Sequence, residues 1–336
     1  MTGIIKPEIH ISDVEQFLSC RTKWWFSSRA QHNLKPVNPN KHLLLGSAVH
    51  HALSAYYGSG RTRAEWNHDA LLSGYNAYIE RAKEKILDLT DDLLEYFELG
   101  RKMVVNYLPW SQANDRFEVV MPEVQLHYDF GEYNFSGTCD GIVKDEQNGI
   151  WLLEHKTAAQ MPSSSILAYT LQASMYSWVA QQTPEIAALG SFRGVMYNIL
   201  RKAIPVIPKA LKTGGLARRS NISSTPMFYM QAVKAAGLNP ADYADFANTL
   251  DPNMFIMREY INTPISTLQQ ALWEFRAIAH QMVNKPPIYR CAVLRNCSWC
   301  DFKKLCGQHL FGRSWEEMAN WEFEKNEELE NNEDSF

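Results

Sequence analysis

The sequence contains no run of 18 consecutive apolar residues, so it carries no pattern of a transmembrane helix. Its first residues, MTGIIKPEIH, lack the charged-then-apolar pattern of a secretory signal. Six cysteines in 336 residues are too few for a secreted disulfide scaffold. No phosphate-binding loop of the form G-x-x-x-x-G-K-[ST] is present. We therefore expect a cytoplasmic globular protein, in which any ATP-driven step would come from a partner.

The most informative stretch is a predicted β-hairpin. Residues 134–144 and 150–156 are rich in β-favouring side chains, and Asn148-Gly149 between them is typical of a tight connection. The hairpin places four polar residues on neighbouring strands, namely Asp140 on the first and Glu154, His155 and Lys156 on the second.

Two carboxylates beside a lysine suit a divalent metal that meets a phosphate. Strand side chains alternate between faces, so Glu154 and Lys156 share one face while His155 points to the other. Magnesium takes oxygen ligands and keeps waters, one of which can become a nucleophile. The alternative is that Glu-x-Lys is only a solvated strand edge or a cross-strand ion pair. A similar tripeptide at 301–303 has no upstream strand aspartate.

Two predicted helices supply further candidates. After the hairpin, Gln172 and Tyr176 are four residues apart, so they share a helix face that points back to the hairpin. Gly46 and His50 have the same spacing on an earlier helix. A glycine inside a helix costs about 1 kcal/mol relative to alanine and usually marks a close approach of backbones. A histidine there is more often a core residue, but the spacing favours His50 over the adjacent His51 as a metal ligand.

These four motifs resemble, in their order, those of RecB-like nucleases of the PD-(D/E)xK superfamily. The matching segments are Gly46-Ser-Ala-Val-His50, Gly137-Thr-Cys-Asp140, Glu154-His-Lys156 and Gln172-Ala-Ser-Met-Tyr176. They cover roughly residues 12–180. Cys139 replaces the proline that names the superfamily, a variation that RecB-like members tolerate. The resemblance implies an α/β fold with a restriction-endonuclease-like core, in which a central mixed sheet is flanked by helices.

The resemblance also implies roles for the motif residues. The implied ligands of one or two Mg²⁺ or Mn²⁺ ions are His50, Asp140, Glu154 and the backbone carbonyl of His155. Lys156 would orient the attacking water or stabilise charge on the phosphate. Gln172 and Tyr176 would contact the DNA backbone or orient Lys156, unless they are only polar residues of helix packing. Glu123, on a strand predicted at about 117–130, could support the metal site.

Four cysteines are closely spaced near the end of the sequence, Cys297, Cys300 and Cys306 after Cys291. Such spacing in a cytoplasmic chain usually indicates a metal site, with zinc as the general interpretation. A further cysteine, Cys20, lies on a helix predicted over residues 11–29 and capped by Ser12 or Asp13. Together with Cys20, the C-terminal cysteines resemble those of the iron–sulfur type of RecB-like nucleases, which includes the AddB and CRISPR-adaptation types. The resemblance implies a [4Fe–4S] cluster held by Cys20, Cys297, Cys300 and Cys306, with Cys291 as a fifth candidate.

Charge is unevenly distributed along the chain. Residues 201–219 contain six basic and no acidic side chains, which predicts a mobile loop that is either only solvated or contacts DNA. Residues 316–336 contain nine acids and one lysine, and the remaining chain has a net charge of +4. This acidic tail would improve solubility or compete with DNA. We predict one nuclease domain, 1–315, with a helical part (12–110), a catalytic core (115–200), a basic and helical insertion (201–250) and a cysteine cluster (285–308).

By this resemblance, the protein is a metal-dependent DNA exonuclease in recombination, repair or viral DNA processing. Its substrate would be single-stranded DNA or duplex ends, and a helicase, recombinase or single-strand-binding protein would be a suitable partner. One alternative is a nuclease that trims DNA for CRISPR adaptation. The other is a non-catalytic iron–sulfur DNA-binding subunit, against which the intact His, Asp, Glu and Lys set argues. The long basic segment favours a free-standing enzyme.

Overall fold

The computed structural model describes residues 6–86, 89–212, 214–219 and 221–326. The strands in these ranges are, in chain order, β1 (Glu8–Ile9), β2 (Leu34–Pro36), β3 (Phe117–Asp129), β4 (Asn134–Asp145), β5 (Ile150–Ala158), β6 (Phe192–Arg201), β7 (Ile256–Asn262) and β8 (Phe323–Lys325). The helices are α1 (Ile11–Ser19), α2 (Arg21–Ser27), α3 (Lys41–Tyr57), α4 (His68–Lys85), α5 (Asp91–Asn114), α6 (Ser164–Ala168), α7 (Leu171–Gln182), α8 (Pro184–Ala187), α9 (Pro226–Ala235), α10 (Ala244–Ala247), α11 (Ile265–Val283), α12 (Leu294–Ser298), α13 (Lys303–Leu310) and α14 (Trp315–Glu322), with a 3₁₀ helix at Pro240–Tyr243.

Six strands form a mixed sheet, as the resemblance implied. Its order is β1-β4-β5-β6-β7, and β3 also pairs with β4. The β1–β4 and β5–β6 pairs are parallel, whereas β3–β4, β4–β5 and β6–β7 are antiparallel. A separate antiparallel ribbon joins β2 to β8.

The predicted hairpin is confirmed as β4 and β5. Asn148 adopts a positive φ of 59°, which asparagine tolerates better than most residues and which a tight turn requires. The side chain of Asp145 accepts the backbone N–H groups of Gln147 and Gly149 at 2.9 and 2.7 Å, so the turn satisfies its own polar groups. These contacts within the turn therefore help to set the register in which β4 and β5 pair.

Helices cover both faces of the sheet because the buried strands are apolar on both sides. Leu152 on β5 belongs to a core cluster with α1, α7 and α11. The adjacent Trp151 and Leu153 belong to a second cluster with α3, α4 and α5. This alternation places Glu154 and Lys156 towards α7, and His155 towards α3 and α5. None of the helices in the described ranges is long and apolar enough to cross a membrane.

The first predicted helix is in fact two helices. Cys20 has extended backbone angles (φ −164°, ψ 114°), and it ends α1 and precedes α2. Its N–H donates to the carbonyl of Gln16, and its carbonyl accepts the N–H of Trp24. The N-cap of α1 is His10, not the expected Ser12 or Asp13, because the Asp13 carboxylate accepts the His10 N–H at 3.1 Å. Cys20 therefore lies at a break between helices and not inside one.

The first part of the predicted acidic tail, 316–336, has regular structure. Residues Trp315–Glu322 form α14, and Phe323–Lys325 form β8, which pairs with β2. Ala319 and Phe323 are buried in a small cluster with Phe26 and Phe302. These spaced apolar side chains give the acidic stretch one buried face, so its charge alone was a poor guide. The expected tail residues 327–336 lie outside the described part of the chain.

The basic segment at 201–219 is more structured than the predicted mobile loop. Leu216 and Ala217 are buried beside α9, in a cluster that includes Tyr229 and Tyr243. The Tyr229 hydroxyl donates to the carbonyl of Ala217 at 3.1 Å, and the Arg218 guanidinium lies 4.4 Å from the centre of the Tyr243 ring. The apolar residues within the basic run thus connect it to the insertion. Three other bases remain exposed, Lys209, Lys212 and Arg219.

Candidate active site

The two strand carboxylates lie where the β4–β5 ladder ends. The last paired residues are Gly141 and Leu153, so the next position on each strand places Asp140 opposite Glu154. The Asp140 side chain is 21% exposed, and Glu154 is 4% exposed. The two acidic residues are therefore neighbours at the end of the ladder, as predicted from the hairpin, and the charge of Asp140 acts on Glu154.

Asp140 is held by groups from two directions. Its Oδ2 accepts the backbone N–H of His155 at 2.6 Å, and its Oδ1 lies 3.3 Å from Nδ1 of His50. Burial favours the neutral acid, but the neighbouring His155 and His50 outweigh it and lower the pKa of Asp140 to about 2. Asp140 is therefore ionised at neutral pH, and the structure brings it together with His50.

Glu154 has the opposite electrostatic character. Its Oε2 accepts from Nε2 of Gln172 at 3.1 Å, whereas its buried Oε1 has no hydrogen-bond partner among the described residues. Burial, followed by the charge of Asp140, raises the pKa of Glu154 well above its ordinary value. An orphaned carboxylate oxygen next to an ionised carboxylate is what a cation would stabilise. The unpaired Glu154 oxygen and the neighbouring Asp140 carboxylate are therefore oxygen donors of the type that a divalent metal takes.

Gln172 bridges the glutamate and the lysine. Nζ of Lys156 donates to Oε1 of Gln172 at 2.7 Å, and the same amide donates to Glu154. Gln172 lies in the first turn of α7, whose N-cap is Thr170. The Thr170 hydroxyl also lies 3.0 Å from the hydroxyl of Tyr197 on β6. The cap and the bridge together fix the start of α7 over the ends of β5 and β6.

The two motif glycines mark close approaches of helix and strand. A Cβ at Gly137 would lie 2.8 Å from the ring of Tyr176, so this glycine allows the buried tyrosine to pack onto β4. A Cβ at Gly46 would lie 3.2 Å from Oγ1 of Thr157 on β5. The predicted shared face of Gln172 and Tyr176 is present, but Tyr176 packs against the sheet.

Helix α3 crosses the strand ends with one face. Gly46 lies over β5, His50 over Asp140 of β4, and the Ser54 hydroxyl donates to Oε2 of Glu123 on β3 at 3.2 Å. Glu123 falls between the pairs 122–141 and 124–139, which places it opposite Asp140, and its φ is 38°. A third carboxylate therefore borders the site. His51 lies on another face, where its Nε2 is 2.9 Å from Nη2 of Arg81.

The His155 side chain points away from Glu154, as the strand pattern predicts. Its ring stacks on that of Tyr57 with 5.5 Å between centres and an interplanar angle of 18°. Burial lowers the pKa of His155 to about 3, so the ring is neutral. Its ring nitrogens therefore do not contact the two carboxylates, and only its backbone reaches the site.

Five cysteines lie at or near the contact between the α1–α2 break and the C-terminal segment. Cys20 Sγ accepts the backbone N–H of Cys291 at 3.2 Å, and the Cys297 thiol donates to the carbonyl of Cys291 at 3.5 Å. Burial raises the pKa of Cys300 and of Cys306. The sixth, Cys139, is buried on β4. All six are free thiols.

Across the described ranges, no three or more His, Cys, Asp or Glu side chains are grouped closely enough to hold a metal ion. At the carboxylates, the side chains form pairs instead: His50 with Asp140, and Glu154 with Gln172.

Comparison with known proteins gives one extensive match. The family model described as the PD-(D/E)XK nuclease superfamily matches residues 9–307, a range that contains every candidate site residue. The crystal structure of SSO0001 aligns over 91% of this chain and 88% of its own, at 11% identity and a TM-score of 0.33. A score that low bears on neither fold nor function. No curated protein matches the sequence.

Proposed function

We propose that this chain, which belongs to the PD-(D/E)XK nuclease superfamily, is a metal-dependent exonuclease that hydrolyses phosphodiester bonds of DNA in recombination, repair or viral DNA processing. The observation that carries the proposal is the opposition of Asp140 and Glu154 where the β4–β5 ladder ends. Glu154 Oε1 is buried there without a partner among the described residues, and Lys156 is connected to the same carboxylate through Gln172.

The residues that would hold Mg²⁺ or Mn²⁺ are His50, Asp140, Glu154 and the backbone carbonyl of His155. The bound ion would supply Lewis acidity and lower the pKa of a water molecule. Asp140 is already oriented for this role by the His155 amide, so little reorganisation is required.

Lys156 is the proposed electrostatic partner of the phosphate. Gln172 holds its ammonium group beside Glu154, which directs the positive charge towards the carboxylates. From there it would orient the attacking water or stabilise the negative charge that develops on the phosphate. Gln172 and Tyr176 would act through position: Gln172 through its amide and Tyr176 through its packing against β4.

An exposed aromatic side chain favours single-stranded DNA ends as substrate. Tyr169 is 87% exposed and immediately precedes Thr170, the N-cap of the helix that carries Gln172. Ile166, on the preceding short helix, is also exposed. Unpaired bases stack on aromatic rings, with a contribution of about 1–3 kcal/mol per base. A duplex would not offer such a face along its length.

The cysteines would hold a [4Fe–4S] cluster through Cys20, Cys297, Cys300 and Cys306. The backbone N–H of Cys291 donates to Cys20 Sγ, and this contact supports the assignment because it brings the remote Cys20 to the segment that carries the other cysteines. The cluster would tie the α1–α2 break to the C-terminal helices. Zinc at the same thiols, or Cys291 in place of Cys20, are the alternatives.

Cleavage of linear single-stranded, linear duplex and circular single-stranded DNA, each with Mg²⁺ or Mn²⁺, tests the proposed function. We expect wild-type protein to degrade linear single strands and to leave circles intact. Glu154→Gln should cleave neither substrate. Equal cleavage of circles would contradict an exonuclease and favour the DNA-trimming alternative. DNA binding without cleavage of any substrate would instead indicate a non-catalytic subunit.

A further inference from the structure

A buried polar network lies behind the candidate site, on the sheet face opposite Glu154. His155, Asn198 and Arg258 occupy directly paired positions on β5, β6 and β7. Their side chains therefore form a row across three adjacent strands. This row starts at the residue whose backbone N–H donates to Asp140.

The far end of the row is an ion pair that is almost completely removed from solvent. Nη1 of Arg258 contacts Oδ1 of Asp115, and the two side chains are 7% and 0% exposed. Tyr57 donates to Oδ2 of Asp115 at 2.8 Å. Nη2 of Arg258 donates to the hydroxyls of Tyr57 and Tyr107 at 3.3 and 3.1 Å. Helices α3 and α5 thus contribute to the same network as β7.

Asn198 connects the ion pair to His155. Its Oδ1 accepts from Nη2 of Arg258 at 3.2 Å, so its Nδ2 is left to donate to Tyr107 at 2.9 Å and to Nδ1 of His155 at 3.1 Å. A neutral imidazole whose Nδ1 accepts carries its proton on Nε2. The network therefore selects one tautomer of His155, while the Tyr57 ring stacks on its face.

The energetics of burial argue against a purely stabilising role. Removing two charges from water costs several kcal/mol for each ion, and replacing a buried ion pair by apolar residues is often neutral or stabilising. The apolar surroundings supplied by Trp110 and Phe117, whose rings lie 5.1 and 4.9 Å from the Arg258 guanidinium, would suit such a replacement. What a directional network provides in addition is a single orientation of His155.

We propose that Tyr57, Tyr107, Asp115, Asn198 and Arg258 position the active site by holding His155, whose backbone N–H in turn fixes the Asp140 carboxylate. The inference rests on the proposed function and adds positioning residues that do not touch the substrate. With His155 clamped by Asn198 and Tyr57, the β5 backbone cannot shift without breaking those contacts. Oδ2 of Asp140 therefore stays on the amide, and Oδ1 stays directed at His50.

The test compares three variants of buried residues. Asn198→Leu keeps the branched shape of the side chain but removes the link to His155, and Tyr107→Phe removes one hydroxyl of the network. Tyr75→Phe is the matched control, because its buried hydroxyl donates to the Phe97 carbonyl at 2.7 Å outside the network. We expect kcat to fall about 10- to 100-fold in the two network variants, with KM changed less than about twofold. The control should keep wild-type kcat despite a similar loss of melting temperature.

A spectroscopic readout separates positioning from stability. In protein labelled with ¹⁵N-histidine, imidazole shifts report the tautomer, and the His155 amide proton reports the bond to Asp140. We expect wild type to show only the Nε2–H tautomer, and both signals to move in Asn198→Leu. If that variant does not fold, Tyr107→Phe decides by the same amide signal.

Unchanged His155 signals, or a kcat within about twofold of the Tyr75→Phe control, would overturn the inference. If wild-type protein cleaves no DNA at all, the proposed function fails, while the His155 signals still decide whether the network holds the Asp140 contact.

Discussion

Gln172 offers the most direct test of how the candidate site is connected. Its amide accepts from Lys156 at 2.7 Å and donates to Glu154 at 3.1 Å, so Gln172→Ala removes both bonds without changing a charge. Lys156 would then lose the group that holds it beside the carboxylates. We expect slower cleavage with little change in DNA affinity, since most affinity comes from phosphate contacts elsewhere.

The size of the effect follows from the bond to the ammonium group. Hydrogen bonds to charged groups contribute about 1.5–3 kcal/mol, and each 1.36 kcal/mol corresponds to about tenfold in rate. The range is therefore about 10- to 150-fold if the whole contribution is felt in the transition state. Lys156 is only half-buried, which weakens the bond, so we expect the lower end of this range.

Single-turnover cleavage with excess enzyme isolates the chemical step for four proteins: wild type, Gln172→Ala, Lys156→Ala and the double variant. If Gln172 acts through Lys156, the double variant should be no slower than Lys156→Ala. Gln181→Ala is the control, because Gln181 lies on the same helix and its amide donates to the carbonyl of Ser177 at 3.2 Å. It should cleave at the wild-type rate.

Two results would refute the bridge. The first is a wild-type rate in Gln172→Ala. The second is the same fold loss in the wild-type and Lys156→Ala backgrounds, which would mean that Gln172 acts independently of the lysine.

Four further outcomes are expected. Asp140→Asn and Glu154→Gln should each nearly abolish cleavage and weaken Mn²⁺ binding by calorimetry while DNA binding persists; wild-type rates would disprove the metal assignment. Anaerobically purified protein should contain about four iron atoms per chain, and this iron should be retained in Cys291→Ser and lost in Cys300→Ser. A content of one zinc per chain and no iron would contradict the cluster and indicate a zinc site. The Arg101 hydrogen bond to Glu98 lowers the pKa of that carboxyl to about 2 from 4.5, so the ion pair stabilises the fold above about pH 4.5 and this stabilisation is lost as the pH falls towards 2. In urea unfolding at pH 6 and pH 3, Glu98→Gln should therefore lose less unfolding free energy on acidification than wild type. An equal loss in the two proteins would contradict this. Neutralising Lys209, Lys212 and Arg219 together should reduce the salt slope of single-stranded DNA binding by about two, since each phosphate contact contributes about 0.7, without slowing the turnover of bound DNA. An unchanged slope would show that the three are only solvated side chains.

Much of the candidate site could be predicted from the sequence because its signals are local. The strand composition and the Asn148-Gly149 turn act within about twenty residues, and they place Asp140 and Glu154 on paired strands. Helical spacing alone puts Gln172 and Tyr176 on one face. Gly46 and Gly137 stand out as glycines in regular elements, and both prove to be points of close approach.

Predictions based on charge or continuity were less accurate. Cys20 breaks a helix that its apolar pattern would continue, because its backbone is extended. The acidic run after residue 315 packs through Phe323 against the cluster around Phe26, a contact that the charge of the run does not indicate. Leu216, within the basic run at 201–219, is buried in the small core that the 201–250 insertion forms. In the acidic and the basic run, a few buried apolar contacts outweighed the average composition of the segment.

The network behind His155 was decided only by the tertiary structure. The sequence determined that His155 points away from Glu154, since strand side chains alternate. It contained no signal that Asp115 and Arg258, 143 residues apart, would meet there. A buried charge is stable only with partners, and which partners are available depends on how α5, β6 and β7 pack together. The alternation of strand side chains depends only on neighbouring residues, whereas the pairing of distant charges depends on how the whole core is buried.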